Sequence, residues 1–246
     1  MKNNKAAKDM SVKELTRFID YSILKPEFSH EDVKREAENG IKLECKTLCI
    51  NPGFVEFCED LVKGTNTNLC PVVDFPFGTS STKSRVEQIR DVAKYETVED
   101  IDIVAKFGLL RGGEYDLVLE DLKECVKAAH EYGKNLKVIF ETDTLNEEQI
   151  RKLCDIVVES GADFVKTSTG FITGFDYKGA SKEVMEIMVD QVAGRCKIKA
   201  SAGIRTREYF LELIDMGIDR IAIGFKSIPV VLGFDDNKID DNERAY

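Results

Sequence analysis

Short apolar runs alternate with longer amphipathic stretches along most of the chain. Each run has the length of a buried strand, and eight of them occur, at 18–24, 47–50, 69–75, 101–106, 136–141, 164–167, 197–201 and 220–224. The stretches between them have helical periodicity. Residues 115–132 and 147–160, for example, place their apolar side chains on one face. The pattern therefore predicts a unit of one strand and one helix, repeated eight times.

Capping residues mark the boundaries of several predicted helices. Ser29 with Asp32 is typical of a helix start, and Gly161 is typical of a helix end. Eight such units in 246 residues predict an α/β fold, a single (β/α)8 TIM barrel over 1–232 followed by a flexible acidic tail at 233–246. A doubly wound open sheet is the alternative, but the glycine fingerprint of a dinucleotide-binding fold is missing after the first run.

The charge composition indicates which kinds of molecule are not expected as main binding partners. The formal net charge is -10 and no basic tract offsets it, which argues against nucleic acid or an anionic membrane as a main partner. An anionic small molecule would then need a local positive pocket. The start of the chain lacks a signal-peptide core and no stretch approaches the length of a membrane span, so a cytoplasmic protein is expected.

The cysteines and histidines give no metal or disulfide pattern. Seven cysteines are scattered along the chain, mostly inside apolar runs, and the two histidines lie far apart. Reduced thiols are therefore expected, rather than disulfides or a zinc site. We predict neither a metal nor another cofactor.

Two lysines in similar sequence surroundings are the strongest indication of the reaction chemistry. Lys166 and Lys199 each end an apolar run, and small hydroxyl or glycine residues follow both. An ammonium there is costly unless it is neutralised or used. If the two strands are parallel neighbours, the amines lie close together and each disfavours the charged form of the other. A lysine that is neutral near pH 7 is a nucleophile for a carbonyl carbon.

Other polar residues are predicted to reach the same face. Active groups of a barrel lie at the carboxyl ends of its strands, where we expect Asp20, Cys49 with Asn51, Asp74, Asp102, Glu141, Lys166 and Lys199. Asp102 has apolar neighbours on both sides, so its carboxylate could pair with a lysine and relay protons through water. A structural ion pair is the alternative for any one of these groups, but three at strand ends favour an active site.

At these positions the chain resembles the deoxyribose-phosphate aldolases, a family of class I, Schiff-base aldolases. The resemblance runs nearly end to end, and 161–171 (GADFVKTSTGF) reproduces the family signature. Ser22 stands where the family usually has threonine, and Asp74 replaces a glycine. Further similar segments are 18–26, 49–52, 73–78, 100–104, 112–115, 137–142 and 199–206.

The resemblance implies a role for each matching residue. Lys166 would form the imine, Lys199 would keep Lys166 neutral, and Asp102 would shuttle protons with Lys199 through water. It also implies substrate contacts at Asp20, Ser22, Cys49, Lys137, Glu141 and Thr167. A packing role is the alternative for Asp20, Ser22 and Glu141.

The phosphate end departs from the family. Barrels usually bind phosphate on backbone N–H groups after strands seven and eight, which indicates Gly170, Gly203, Gly224 and Lys226 here. Ala202 replaces the first of two paired glycines, and Phe225 and Lys226 replace small residues. Two interpretations stay open: Lys226 binds the phosphate, or the pocket takes a different or unphosphorylated aldehyde.

The resemblance thus implies reversible cleavage of 2-deoxy-D-ribose 5-phosphate to D-glyceraldehyde 3-phosphate and acetaldehyde, a step of deoxyribonucleotide catabolism. A related Schiff-base aldolase with another acceptor, or a non-catalytic sugar-phosphate-binding barrel, is the alternative. Some family members use a terminal tyrosine in proton transfer, so Tyr246 is a candidate beside the simpler expectation of a disordered end. Barrels of this kind are commonly dimers, and a homodimer is one expectation.

Overall fold

The computed structural model describes residues 5–234. Within that range eight strands form a closed barrel in sequence order, every neighbouring pair is parallel, and the last strand pairs with the first. The predicted (β/α)8 barrel is confirmed, and the open sheet is excluded. The strands are β1 (Ile19–Ile23), β2 (Thr47–Ile50), β3 (Asn68–Val73), β4 (Asp100–Val104), β5 (Asn135–Ile139), β6 (Phe164–Lys166), β7 (Lys197–Ser201) and β8 (Arg220–Gly224).

Helices separate the strands and cover the outside of the barrel. The capping box of Ser29 and Asp32 starts the second helix, and Gly161 ends the seventh in the left-handed conformation at φ 82°, which suits glycine. In residues 5–234 the α-helices are α1 (Val12–Thr16), α2 (His30–Lys42), α3 (Val55–Val62), α4 (Thr82–Ala93), α5 (Phe107–Arg111), α6 (Tyr115–His130), α7 (Glu147–Ser160), α8 (Lys182–Val192), α9 (Arg207–Asp215) and α10 (Ile228–Leu232). Short 3₁₀ helices span Ala7–Asp9, Pro52–Phe54, Thr142–Thr144 and Phe225–Ser227.

Both faces of the strands are buried. The outward-facing residues pack under the helices in one continuous apolar core, as expected for a parallel sheet covered by helices. A small apolar group, Leu24, Cys49, Cys70 and Val72, lies apart from this core with Phe75 and Phe171 against it. The barrel interior also holds buried charged side chains, with Phe164 among them.

Three strands end two residues before their predicted apolar runs do. β3 stops at Val73 because Asp74 takes a positive φ of 49°, which breaks the extended backbone. β5 stops at Ile139, two residues before Glu141, whose φ is 59°. β4 stops at Val104, before the helix that begins at Phe107. Hydrophobicity predicted these strands but not the backbone turns that end them.

Further expectations meet the structure in part. All seven cysteines lie within residues 5–234 and all are free, as expected. None of the helices in this range is both long and apolar enough to cross a membrane. Residues 235–246, with Tyr246 and most of the predicted tail, lie outside the described residues.

Candidate active site

Lys166 and Lys199 converge inside the barrel, as the sequence predicted. Lys166 is the last residue of β6 and pairs in register with Lys199 on β7, so both side chains project into the barrel interior from adjacent strands. Both are fully buried. The Nζ atom of each lies 2.7 Å from the same oxygen, Oδ2 of Asp102 on β4. One carboxylate thus links the two amines across the barrel.

The carboxylate of Asp102 is held in its ionised form. Burial raises the pKa of Asp102, but the opposing effect of Lys166, Lys199 and Lys137 is larger. The pKa of Asp102 therefore lies well below its ordinary value. Its other oxygen, Oδ1, accepts from Sγ of Cys70 at 3.1 Å. Asp102 therefore faces the amines as an anion at any pH where the protein operates.

Lys199 is the neighbouring cation that the resemblance implied, but the expectation that its own pKa is lowered is wrong. Burial lowers its pKa, as expected, but Asp102 and Asp20 outweigh burial and hold the pKa well above its ordinary value. The Nζ atom of Lys199 lies 2.6 Å from Oδ2 of Asp20 and 2.7 Å from Oδ2 of Asp102. Lys199 is consequently an ammonium, and it supplies the cation beside Lys166.

Asp20 lies deeper than predicted. It is the second residue of β1, near the amino-terminal end rather than the carboxyl end. Inward-facing residues of a barrel stack in layers, and Asp20 belongs to a layer below Lys166. Its Oδ2 accepts from Lys137 at 2.8 Å, and Lys137 also lies 2.7 Å from Oδ2 of Asp100. Direct contact of Lys137 and Asp20 with a substrate stays a prediction.

Six fully buried charged groups therefore form one connected set, which we call the ionic column. Every member contacts at least one group of opposite charge within 2.8 Å. The set holds three carboxylates and three amines, so its charge balances when all are ionised. Its members are Asp20, Asp100, Asp102, Lys137, Lys166 and Lys199.

Comparison with known proteins fits this arrangement. The model of the DeoC/LacD family aldolases matches residues 8–228. The chain belongs to the DeoC/LacD aldolase family. It is 39% identical over 209 residues to the deoxyribose-phosphate aldolase of Mycoplasmopsis pulmonis, covering 85% of this chain and 91% of that protein. It is 37% identical over 229 residues to that of Bacillus cytotoxicus, covering 93% and 99%.

Solved structures show the same fold. One solved structure, described as a unique tetrameric structure of deoxyribose phosphate aldolase from Aeropyrum pernix, has a TM-score of 0.81 and 25% sequence identity to this chain. The similarity covers 91% of this chain and 92% of that one. This DeoC/LacD aldolase thus shares sequence and barrel architecture with that enzyme along nearly its whole length.

Glu141 lies above the amines of this aldolase and holds the loop after β6. The amide N–H of Thr169 donates to Oε1 at 3.3 Å, and its hydroxyl donates to Oε2 in a short hydrogen bond. Burial raises the pKa of Glu141 to about 7 against the opposing effect of these two bonds. Ser22 on β1 and Thr167 directly after β6 are both buried. The Thr167 hydroxyl donates to the carbonyl of Ser201 at 2.7 Å. Substrate contacts of Ser22, Thr167 and Glu141 stay predictions.

The predicted phosphate residues lie after β6, β7 and β8. These strands are parallel neighbours, so their following loops share one face of the barrel. Gly170 and Gly203 have φ values of 82° and 83°, and Ala202 adopts φ 74°, a conformation that glycine would adopt without strain. Gly224 ends β8, and Lys226 is exposed in the turn that follows.

The structure also brings together a trio that sequence reasoning missed. Sγ of Cys49, Sγ of Cys70 and an oxygen of Asp102 lie within 4.8 Å of one another, close enough to hold a metal ion. Cys49 and Cys70 are register partners on β2 and β3. The amines of Lys166 and Lys199 already contact Asp102, however, and would repel a cation there.

Asp100, Cys70 and Arg220 also belong to the interior but were not predicted. Asp100 stands two positions before Asp102, a spacing that places both on the same face of β4, so strand periodicity was an available signal. Cys70 likewise stands two positions before Val72, so both lie on the same face of β3. Arg220 begins the last apolar run, and only the closure of the barrel shows that it meets Asp20.

The substitution of Asp74 for the family glycine has a structural explanation. Its positive φ of 49° is the conformation in which glycine is favoured. The carboxylate accepts from the amide and hydroxyl of Ser80, and lies 3.1 Å from the fully buried guanidinium of Arg85. Arg85 also lies 3.3 Å from Asp121. Asp74 thus anchors the loop after β3 from outside the ionic column.

Proposed function

We propose that this aldolase reversibly cleaves 2-deoxy-D-ribose 5-phosphate to D-glyceraldehyde 3-phosphate and acetaldehyde through an imine on Lys166. The observation that carries the proposal is the shared oxygen of Asp102, which holds a buried amine beside a buried ammonium. The names of the curated relatives support this choice of substrate.

The first half of the reaction makes an electron sink. The neutral Nζ of Lys166 attacks the C1 aldehyde carbon of the open-chain sugar, and the resulting carbinolamine loses water to give a protonated imine. Lys199 is suited to protonate the oxygen through a water molecule because it is held as an ammonium, and the oxygen leaves as water. Attack leaves a proton on the nitrogen of Lys166, and Asp102, which contacts both amines, is suited to pass that proton to Lys199.

Carbon–carbon cleavage then follows. A base takes the proton of the C3 hydroxyl, the C2–C3 bond breaks, and its electron pair moves toward the imine nitrogen to leave an enamine on Lys166. C3 departs as the aldehyde of D-glyceraldehyde 3-phosphate. Protonation of the enamine at C2 and hydrolysis release acetaldehyde and regenerate the amine. No step in this sequence needs a group other than protein side chains and water.

The remaining residues are assigned to substrate binding in this proposal. Asp20, Ser22, Cys49, Lys137, Glu141 and Thr167 would contact or orient the hydroxyl groups. Gly170, Gly203 and Gly224 would offer backbone N–H groups to the phosphate, and Lys226 would add a charge. The exposure of Lys226 at the carboxyl face supports its role.

A second candidate is a Schiff-base aldolase for a different or unphosphorylated aldehyde. It is favoured by Phe225, which is half-buried after β8 and whose ring lies 5.5 Å from that of Phe28. A bulky side chain in this loop leaves less room for a phosphate than a small one.

Three expectations about the whole protein belong to the same proposal. The barrel domain spans 1–232 with a tail at 233–246, which agrees with the end of α10 at Leu232. A homodimer and a cytoplasmic location are the other two. Assistance to proton transfer from Tyr246 is a further candidate feature of the tail.

Cleavage of 2-deoxyribose 5-phosphate, measured beside its dephosphorylated form, tests the proposal. We expect acetaldehyde release from the phosphorylated sugar at a far higher kcat/KM. Comparable rates with both sugars would support the second candidate. No cleavage of either, together with tight binding of the sugar phosphate, would indicate the non-catalytic barrel.

A further inference from the structure

Arg220 is the first residue of β8, at the amino-terminal side of the barrel, and is the register partner of Lys199 on β7. Its side chain is 14% exposed, and its Nε lies 3.5 Å from Oδ1 of Asp20 and 3.8 Å from Oδ2 of Asp100. Its Nη2 lies 3.5 Å from Oε1 of Glu99, which also pairs with Lys46 at 2.5 Å. Arg220 therefore adds a positive charge at the lower end of the ionic column.

The added charge upsets the balance of the column. Three carboxylates and three amines balance by themselves, so Arg220 leaves an excess of one positive charge next to buried groups. Glu99 offsets part of it, but Glu99 is 25% exposed, screened by water and already paired with Lys46. In a poorly solvated interior the excess favours loss of a proton from one buried lysine.

Lys166 has fewer described carboxylate contacts than the other two amines of the ionic column. Lys137 and Lys199 each lie within 2.8 Å of two carboxylates of the column. Among the ion pairs described for residues 5–234, Lys166 has one, to Asp102, and shares that oxygen with Lys199. The excess charge therefore bears most strongly on Lys166.

We propose that Arg220 is a positioning residue for the reaction, whose charge acts through Asp20 and Lys199 to keep Lys166 in the neutral form that attacks a carbonyl carbon. The inference rests on the proposed function, because it concerns the same amine. Four charged or titratable groups face Lys166: Asp102 on β4, Lys199 on β7, Glu141 after β5 and Cys49 on β2. Three carboxylates face Arg220: Asp20 on β1, Asp100 on β4 and Glu99 directly before β4.

The pH profile of cleavage tests this role, since a residue at the amino-terminal face of a barrel otherwise serves stability. Arg220→Met removes the charge and keeps an unbranched side chain. We expect the acid limb of kcat/KM to move to higher pH by about one unit, with about a tenfold loss near neutrality and a rate that converges on the parent at high pH. Arg220→Lys retains the charge and should restore the parent profile.

Arg17→Met is the matched control. Arg17 is also a partly buried arginine, just before β1, but its guanidinium donates to the backbone carbonyls of Glu44, Cys45 and Asn66. Its removal is expected to lower stability without moving the pH profile. An equal fold-loss at every pH in Arg220→Met would mark Arg220 as purely structural and overturn the inference.

Glu99→Gln tests the opposite sign and does not depend on the folding of Arg220→Met. It removes the carboxylate nearest the outer side of Arg220, so the excess positive charge grows and the acid limb should move to lower pH. A shift of the acid limb to higher pH in Glu99→Gln contradicts the inference, and so does the absence of a shift in both Glu99→Gln and Arg220→Met.

Labelling separates this inference from the proposed function. Acetaldehyde and borohydride trap an imine at Lys166 without any sugar phosphate, so the pH dependence of labelling can be compared in the same variants. A parent protein that is labelled but cleaves no deoxyribose 5-phosphate would refute the proposed substrate, and the labelling profiles alone would then decide the role of Arg220. A parent with no label at Lys166 at any pH would overturn both.

Discussion

The Nζ atoms of Lys166 and Lys199 lie at the same distance, 2.7 Å, from one oxygen atom, Oδ2 of Asp102. A single carboxylate oxygen cannot satisfy two ammonium groups as well as two oxygens could. Lys199 has a second carboxylate, Asp20, at 2.6 Å, and Lys166 has no second ion pair among those described for residues 5–234. This asymmetry separates a permanent cation from a nucleophile, although the two residues are register partners.

Asp102→Asn tests the linking carboxylate. Asparagine keeps the shape but removes the charge, so proton transfer between the amines should fail while Lys199 keeps Asp20 as a partner. We expect kcat/KM for cleavage to fall by roughly 10²–10⁴-fold, the range of lost acid–base catalysis. Steady-state assays on a folded variant, checked by circular dichroism, give the number. A loss of less than about threefold would show that Asp102 is not in the proton path.

Lys199→Met tests the neighbouring cation. Without it, the charged form of Lys166 is favoured, so imine formation near neutral pH should slow by at least about tenfold and recover partly at high pH. Lys197→Met is the control, because Lys197 lies two positions earlier on β7 and is exposed. The rate of acetaldehyde labelling as a function of pH is the measurement. Identical profiles for the two variants would remove Lys199 from the account.

Glu141 predicts a pH dependence of stability. Its pKa is raised from the reference value of 4.5 to about 7, so between these values the folded protein holds a proton that the unfolded chain has lost. The free energy of unfolding should therefore fall as the pH rises from about 4.5 to about 7, by on the order of 3 kcal/mol.

Urea unfolding of the parent and of Glu141→Gln across this range isolates the effect. Glutamine does not titrate, so the difference in unfolding free energy between the two proteins should change with pH and become constant above neutrality. A difference that stays constant throughout would mean that Glu141 is ionised over the whole range.

Asp74→Gly tests the substitution on the loop after β3. Glycine would relax the backbone at φ 49°, but it would leave the buried Arg85 with Asp121 as its remaining acidic partner in the described residues. The lost ion pair outweighs the gain, and we expect a net loss of about 2 kcal/mol in unfolding free energy. Asp74→Asn, which tolerates the same backbone conformation, is the control for charge alone. A more stable glycine variant would show that the ion pair contributes little.

The sequence predicted the barrel because eight apolar runs of strand length recur with amphipathic helices between them. It also predicted the convergence of Lys166 and Lys199, since strands that are consecutive in a barrel are neighbours in space. Both predictions depend only on the local pattern of apolar and polar residues and on the order of the strands along the chain.

The carboxylate partners that keep Lys199 charged could not be predicted in the same way. Asp20 holds Lys199 protonated, yet the two lie at opposite ends of the chain and meet only because β8 closes on β1. The depth of Asp20 and the contacts of Arg220 follow from the same closure. The predicted runs likewise included the left-handed residues Asp74 and Glu141. Their carboxylates accept hydrogen bonds from Ser80 and Thr169, and the hydrophobic pattern does not show these bonds.

Reductive trapping with acetaldehyde and borohydride, followed by peptide mass mapping, tests the central claim most directly. We predict one ethyl group on Lys166 near neutral pH and none on Lys199, because Asp20 and Asp102 hold Lys199 as an ammonium, whereas one ion pair is described for Lys166. A label on Lys199 in preference to Lys166, or an unlabelled protein that still cleaves the sugar phosphate, would contradict the assignment of Lys166 as the nucleophile.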